Sequence, residues 1–324
     1  MSNKVLKPKK ASLYQFTQNY SNNIDNCIEF FKSMKWPEGF SCDRCGCHKY
    51  YLVKRVGKTK TSYVLECSSC HKQHSLLSGT IFQSCKLDLY KLLLGIFLFF
   101  NENKGISAIE LCSILDVNYK TALLLESKCR ILMSLSNSDQ LLNSLFYEAD
   151  VFNIGAKSRN KAGRASEQQP VLGILSTDKE NSYPRFIKLR LINDYTGLSL
   201  KKNIEKCCVL SHDALLNTDG EKGFNTLNGE IQVKNEKISY EEKDHRLLWL
   251  NIIIGNIKNN ITGIYHGITK REMPLFLNEQ EYRFNHRKMG KTVMDKVKKY
   301  LQKSFPISHR QIVYILNISA PHFS

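Results

Sequence analysis

Four cysteines in two closely spaced pairs form the first pattern that indicates chemistry. Cys42 and Cys45 make one C-x2-C turn, and Cys67 and Cys70 make a second. Each turn presents two thiolates to one ion, and four thiolates complete the tetrahedral coordination of a structural zinc ion. The spacing therefore predicts a Zn²⁺ site in a zinc ribbon. Four unrelated buried cysteines are the alternative without a metal. Three further potential ligands lie nearby: Cys47, His71 and His74.

Two aspartates at the ends of short apolar stretches form a second pattern. Asp150 lies in LFYEADVFNIG, which also carries Glu148, and Asp219 lies in NTDGEKGF, before a glycine turn. A carboxylate where a strand leaves a sheet is well placed to bind a divalent cation. An isolated aspartate before glycine is ordinarily only a turn residue. Two such acids on separate strands indicate a common site.

A polar pair interrupts the apolar stretch WLNIIIGNIKNN. Asn251 and Lys258 are about two helical turns apart, so both side chains fall on nearly the same stripe of an α-helix. One interpretation is a capping or solvent-facing pair. The other is an amide and an ammonium group that face one functional site.

Around the cysteines, the sequence predicts a basic hairpin. YYLVKRVGKTKTSYVLEC has the pattern of two strands that meet at a turn near Gly57. Four basic residues cluster at this turn, where they are expected to contact DNA phosphates: Lys54, Arg55, Lys58 and Lys60.

Three helices are predicted next, over about 87–101, 107–115 and 119–135. Ser107 precedes Glu110 at the spacing of a capping box. The tight break at 116–118 is typical of a helix-turn-helix, whose last helix enters a major groove. Tyr119 and Lys120, at the start of that helix, are the expected DNA contacts. Ordinary helix pairs share the pattern, so it does not establish DNA binding alone.

Behind these helices the pattern changes to that of a sheet. The stretches 171–175 and 185–192 alternate like strands of one antiparallel sheet. The apolar stretch LLLGIFLFF is too short to span a bilayer, and the basic N-terminal stretch lacks the apolar run of a signal peptide. No membrane partner is therefore expected.

The charge balance points to a polyanionic partner. The 324 residues carry a formal net charge of +17 and are 42% hydrophobic, so the chain combines an ample core with a strongly basic surface. Nucleic acid is the first candidate. A basic protein without such a partner is the alternative.

The chain resembles transposases of bacterial insertion sequences, in particular the insertion-sequence 1595 family. The most telling pieces are LECSSCHKQHSLLSGTIF, the Asp150 strand, NTDGEKGF, LNIIIGNIKNNITGIYHGI and FLNEQEYRFNHRK. The resemblance implies an α+β multidomain protein, with a zinc ribbon and a helix-turn-helix before an RNase H-like α/β catalytic domain with a mixed sheet. The implied location is the cytoplasm, in association with the bacterial nucleoid.

The resemblance also assigns roles to the residues of the second and third patterns. Asp150, Asp219 and Asn251 would hold catalytic Mg²⁺ or Mn²⁺, and Lys258 would neutralise a phosphate at the cleaved end. His266, in the YHG triplet, would contact DNA, with core packing as the alternative. The implied partners are double-stranded element ends and target DNA, bound by a homodimer or larger homo-oligomer.

The expected domains are a basic, helical segment over 1–39, the zinc ribbon over 40–82, the helix-turn-helix region over 83–140, the catalytic domain over 141–300 and a tail over 301–324. Val151 and Asn153 stand where relatives often carry an acid and a tyrosine. An alternative function is therefore a catalytically decayed transposase that acts as a sequence-specific DNA-binding protein.

Overall fold

The computed structural model describes residues 12–57, 61–137, 141–155, 168–179, 183–235, 247–287 and 293–319. The chain divides into two compact units. The first unit contains Met1–Leu135 and Lys288–Ile312, and the second contains Ser136–Arg287 and Val313–Ser324. None of the helices in the described ranges combines the length and hydropathy that a bilayer-spanning segment requires.

The first unit contains the predicted hairpin. Strands β1 (Tyr50–Val56) and β2 (Thr61–Cys67) pair antiparallel, as the alternation predicted, and β3 (Gln73–Ser75) adds a third strand along β2. Two helices precede this sheet: α1 (Leu13–Tyr20) and α2 (Ile24–Lys35).

Three helices follow the ribbon at the predicted positions: α3 (Leu89–Asn101), α4 (Ala108–Leu115) and α5 (Tyr119–Asn137). The Ser107 hydroxyl accepts a hydrogen bond from the Glu110 amide, which confirms the predicted start of α4. Asp116 ends α4 in the left-handed region at φ 47°, where its amide and that of Val117 satisfy the last carbonyls of the helix. The side chain of Asn118 then accepts from the Thr121 amide at 2.9 Å and begins α5.

The chain returns to the first unit near its C-terminus, which the sequence pattern did not indicate. Residues 301–324 were expected to form a tail, but helices α9 (Val293–Lys303) and α10 (His309–Ser319) occupy most of 293–319. The Gln302 side-chain amide donates to the Met34 carbonyl at 3.1 Å, and the Ser304 hydroxyl accepts from the Ile81 amide at 3.1 Å. Both contacts attach the segment to elements near the start of the chain.

The second unit is built on a five-stranded mixed sheet. Its strands are β4 (Phe146–Ile154), β5 (Gln169–Thr177), β6 (Pro184–Leu191), β7 (Leu215–Thr218) and β8 (Gln232–Asn235). Their order is β6-β5-β4-β7-β8, with β5 antiparallel to both neighbours and β7 parallel to β4 and β8. This arrangement confirms the predicted mixed sheet.

Helices cover both faces of this sheet, because alternate residues of the strands are apolar on both sides. Helix α6 (Gly197–Glu205) contributes to a buried cluster with Tyr147 and Ala149 of β4. Helices α7 (Leu248–Gly263) and α8 (Met273–Asn285) form a second cluster with Phe152 and Ile154 of β4. Odd and even positions of β4 therefore face different helices.

Helix α8 also covers the free edge of β6. The Asn285 side chain accepts from the Ile187 amide at 2.7 Å and donates to the Ile187 carbonyl at 3.0 Å, as a neighbouring strand would. Glu281, one helical turn earlier, accepts from the Leu189 amide at 3.1 Å. These contacts explain the spacing of polar residues in NEQEYRFNHR, since they satisfy backbone groups at an edge that otherwise invites pairing.

Candidate functional site

The four predicted zinc ligands come together in the first unit. The Sγ atoms of Cys42 and Cys70 are 3.6 Å apart, those of Cys45 and Cys67 are 3.5 Å apart, and all four lie within 4.8 Å of one another. A tetrahedron with Zn–S bonds of about 2.3 Å has edges of about 3.8 Å. The cluster therefore has the ligand type, number and spacing of a structural zinc site.

Two matching backbone turns create this spacing. The Gly46 amide donates to the Cys42 carbonyl at 2.8 Å, and the His71 amide donates to the Cys67 carbonyl at 3.1 Å. In each turn, the residue whose amide donates has a left-handed backbone conformation, with φ 71° for Gly46 and φ 57° for His71. The ribbon thus presents its cysteines from two turns of the same geometry.

The three alternative ligands lie around the four-cysteine cluster. His74 is buried, and its Nε2 is 3.4 Å from Sγ of Cys42, which suits a hydrogen bond to a coordinating sulfur. Cys47 instead faces Ser68, at 3.5 Å between Sγ and Oγ, and His71 interacts with Glu66. Burial raises the pKa of the Cys42 thiol, but hydrogen bonds from backbone N–H groups and from His74 outweigh it and lower that pKa to about 6. A thiolate therefore forms readily at this ligand.

Two of the four basic residues predicted at the hairpin turn lie in the described part of the chain. Lys54 and Arg55 are exposed on β1, where their charges are available to phosphates. Lys58 and Lys60 lie outside the described residues.

The start of α5 is also exposed. Tyr119 is 49% exposed and Lys120 is exposed, as residues that reach a groove must be. Farther along the same helix, Lys128 is buried and donates to the Ile81 carbonyl at 2.6 Å. The first lysine is free to meet a ligand, whereas the second supports the fold.

Asp150 lies on β4, and Asp219 directly follows the last residue of the neighbouring parallel strand β7. In the register of β4 and β7, the last pair is Ala149 with Thr218, and the next residues along the chain are Asp150, on β4, and Asp219, just after the end of β7. Paired residues of neighbouring parallel strands point to the same face of a sheet, about 4.8 Å apart, and the two acids lie one residue beyond the last such pair. The strand order thus brings together two acids that are far apart in sequence.

Helix α7 packs on the face to which Asp150 belongs. Leu250 of α7 and Phe152 of β4 belong to one buried cluster, and Asp150 pairs across the sheet with Gly173 of β5. A Cβ at Gly173 would lie 3.2 Å from Phe152 Cε1 and 3.3 Å from Leu250 Cδ1. A larger residue at Gly173 would therefore push the helix away from the acid.

Asn251 and Lys258 both lie on α7 and are exposed, as a stripe that lines an open site requires. The Lys258 Nζ is 5.7 Å from the centre of the Phe152 ring, two residues beyond Asp150 on the same face of β4. Asn251 directly follows Leu250, which packs against the same face of the sheet. The helix therefore carries both predicted residues along the strand that carries Asp150.

The donor set on this face fits a hard divalent cation. Two carboxylates and an amide oxygen are ligands that Mg²⁺ or Mn²⁺ accepts. Over the ranges that the structure describes, no third carboxylate, histidine or cysteine forms a cluster within 4.8 Å with Asp150 and Asp219.

His266 lies in the turn after α7, at φ 51°, and is exposed. The alternative that it packs in the core is therefore excluded. Its exposure leaves contact with DNA as a prediction.

Glu148 is a further polar residue at this face, for which sequence reasoning found no role. It is 1% exposed, and its Oε2 accepts from the Leu250 amide at 3.1 Å. Burial raises its pKa to about 7, against the opposing effect of that hydrogen bond. The signal available in the sequence was its position two residues before Asp150, which places both acids on one face of a strand.

Comparisons with known proteins match both units. Residues 146–285 match the model of an ISXO2-like transposase domain, and residues 23–73 match that of a transposase zinc-ribbon domain. Together the two matches cover more than half of the chain. The comparison with curated proteins gave no match.

Among solved structures, the chain is similar to one described as a crystal structure of a pre-cleavage Mos1 transpososome. The sequence identity is 9% and the TM-score is 0.26, over 71% of this chain and 79% of that one. A similarity of this degree transfers no structural detail.

Proposed function

Because the chain belongs to the insertion-sequence 1595 family of transposases, we propose that it binds the ends of a mobile DNA element and catalyses metal-dependent cleavage and strand transfer. The observation that carries this proposal is the parallel register of β4 and β7, whose last pair, Ala149 and Thr218, directly precedes Asp150 and Asp219. The contact of Lys258 with Phe152 on that face supports it.

In this proposal, Asp150, Asp219 and Asn251 would hold Mg²⁺ or Mn²⁺, which would supply Lewis-acid activation of a water and stabilisation of the leaving oxygen of a phosphodiester. The two carboxylates supply negative charge, and Asn251 supplies a neutral oxygen. Lys258 neutralises a phosphate of the cleaved end. The liberated 3′-hydroxyl would then attack a phosphodiester of target DNA, forming a new P–O bond as the 3′-oxygen of the cut target strand leaves.

DNA recognition is assigned to the first unit. The zinc ribbon presents Lys54 and Arg55, and helix α5 presents Tyr119 and Lys120, all on exposed positions. The net charge of +17 supports a polyanionic partner. A homodimer or larger assembly is proposed because two element ends must be brought together for joining.

The test is strand nicking by the full-length, zinc-loaded protein on DNA that carries the sequences flanking its own coding region. Nicking at the element ends with Mg²⁺, and none in a chelator of Mg²⁺, is the expected result. Specific end binding without nicking in either Mg²⁺ or Mn²⁺ would reject the catalytic proposal. It would favour the decayed, DNA-binding alternative.

A further inference from the structure

We propose that Glu148 is a positioning residue that fixes helix α7 on the sheet so that Asn251 faces Asp150 and Asp219. This inference rests on the proposed function, because it assigns Asn251 to the metal site. It adds a residue that touches neither metal nor DNA but determines where a ligand stands.

Glu148 contacts α7 at the start of the helix. The Leu250 amide is one of the first N–H groups of α7, which have no partner within the helix. The cap residue Leu247 offers no side-chain hydrogen bond, and Glu148 Oε2 accepts from Leu250 instead. The bond ties the helix to β4 one residue before Asn251.

Helix α7 runs along β4 and contacts it at two points. Glu148 holds the helix at Leu250, and Phe152 meets Lys258 two turns later. Asp150 lies between these two strand positions on the same face. Since Asn251 and Lys258 share one helix stripe, a helix held at both points keeps that stripe beside Asp150.

Glu148 is a buried acid on the face of β4 that α7 covers. At 1% exposure, a carboxylate is costly, and an apolar residue would fill the same space more favourably. Within the described part of the chain, Glu148 Oε1 has no hydrogen-bond partner, and neither has Oδ1 of Asn217, which pairs with Glu148 in the strand register. Glu148 and Asn217 thus form a buried polar pair two residues before Asp150 and Asp219.

Two substitutions separate reach from charge. Glu148→Gln keeps the length and an acceptor oxygen but removes the charge. Glu148→Asp keeps the charge but is shorter by one methylene, so it falls short of the Leu250 amide. If Glu148 positions α7 by its hydrogen bond, Gln should behave like the natural protein and Asp should not.

Mn²⁺ binding to the zinc-loaded, full-length protein, measured by titration calorimetry, is the first readout. Loss of a residue that orients a metal ligand typically weakens metal binding 10–100-fold. We expect a loss of that size for Glu148→Asp, together with faster hydrogen exchange of the Leu250 amide, and a change of less than about threefold for Glu148→Gln. Binding of DNA ends should be unchanged in both variants.

Asn285→Ala is the matched structural control. It removes two hydrogen bonds between α8 and the edge strand β6, so it lowers stability without touching α7. Its Mn²⁺ affinity should stay within about threefold of the natural value. A loss in Asn285→Ala equal to that in Glu148→Asp would reduce Glu148 to a general support of the fold.

Asp150→Ala separates this inference from the proposed function. If Asp150→Ala binds Mn²⁺ as the natural protein does, the proposed metal site is wrong. If Asp150→Ala loses Mn²⁺ but Glu148→Asp retains it, only the positioning role is overturned. Weak binding by Glu148→Gln together with normal binding by Glu148→Asp would also overturn it, since charge rather than reach would then matter.

Discussion

At the residue scale, a fifth cysteine, Cys47, lies close to the four predicted zinc ligands. Cys47 lies one residue beyond the first turn and is not a member of the four-cysteine cluster, and its sulfur is 3.5 Å from the Ser68 hydroxyl oxygen. Because the ligands come in adjacent pairs, their positions could be predicted from spacing alone. The position of Cys47 could not, since it depends on how the chain leaves the turn.

A pair of cysteine substitutions tests the composition of this site. Cys67→Ser should abolish zinc binding and unfold the ribbon, because a structural site couples about 10–16 kcal/mol of metal binding to folding. Cys47→Ser should retain zinc and the fold. Zinc content by atomic absorption and hairpin order by nuclear magnetic resonance would measure both. Loss of zinc in Cys47→Ser, or an ordered hairpin in a chelator, would refute the assignment.

Substitution of Asn251 and substitution of Lys258 should have different effects on activity if both side chains face the metal site. In Asn251→Ala a ligand is lost, so nicking should collapse and excess Mg²⁺ should restore it only partly. In Lys258→Ala the metal ligands remain, but one phosphate contact is lost. End joining should weaken, and its salt dependence should fall by about one unit of slope.

The control for both is Asn259→Ala, an exposed position on the same helix but off their stripe. Strand nicking, strand joining and end binding at several salt concentrations provide the comparison. Surface changes usually alter stability by less than about 0.5 kcal/mol, so the control should be active. Full activity in both Asn251→Ala and Lys258→Ala would show that the stripe is merely solvent-facing.

At the element scale, helix α5 carries two lysines with opposite surroundings. Lys120, in its first turn, is exposed, whereas Lys128 is buried against the Ile81 carbonyl. Burial lowers the pKa of Lys128. The helix therefore separates a residue available to DNA from one that attaches it to the segment before α3.

This difference predicts two distinct effects on DNA binding and stability. Lys120→Ala should weaken end binding, reduce the salt slope by about one unit and leave the unfolding midpoint unchanged. Lys128→Ala should lower the midpoint, because the Ile81 carbonyl loses its donor at a cost of about 1–3 kcal/mol. Fluorescence anisotropy against salt and thermal unfolding measure the two effects. An unchanged salt slope in Lys120→Ala would exclude this end of α5 from the DNA interface.

Local sequence patterns predicted the helices and strands well, but the roles of individual residues depend on contacts between segments that are far apart in sequence. The ribbon strands, α3–α5 and the strands β5 and β6 follow from alternation, capping and helical periodicity. The adjacency of Asp150 and Asp219 needs the parallel pairing of β4 and β7, which no local pattern encodes. Similarly, Asn285 and Glu281 acquire their role only because α8 lies along the edge of β6.

At the scale of the whole molecule, the chain completes its first unit with residues from near its end. Val297 and Leu301 are fully buried on α9, and Tyr300 stacks on Phe100 at 6.2 Å between ring centres. Residues 288–312 lie outside both matched family regions. The first unit therefore depends on a segment that follows the five-stranded sheet in sequence.

Leu301→Ala should destabilise the first unit specifically. Truncation of a fully buried leucine costs about 2–5 kcal/mol, so amides of α3 should exchange faster while those of β4 keep their protection. Phe305→Ala, at a position that is 55% exposed, should change neither. Residue-resolved hydrogen exchange measures the outcome. Unaltered protection of α3 in Leu301→Ala would contradict the role of this segment.

The central claim is that one face of the second unit performs phosphodiester chemistry that the first unit directs to its DNA. Nicking and binding of the same end-containing DNA in Mg²⁺, by the natural protein and by Asp150→Ala and Asp219→Ala, test it most directly. We predict nicking by the natural protein alone, with end binding within about threefold in all three, because recognition does not use the acids. Nicking by either variant would contradict the account, as would loss of end binding in both variants with the fold intact.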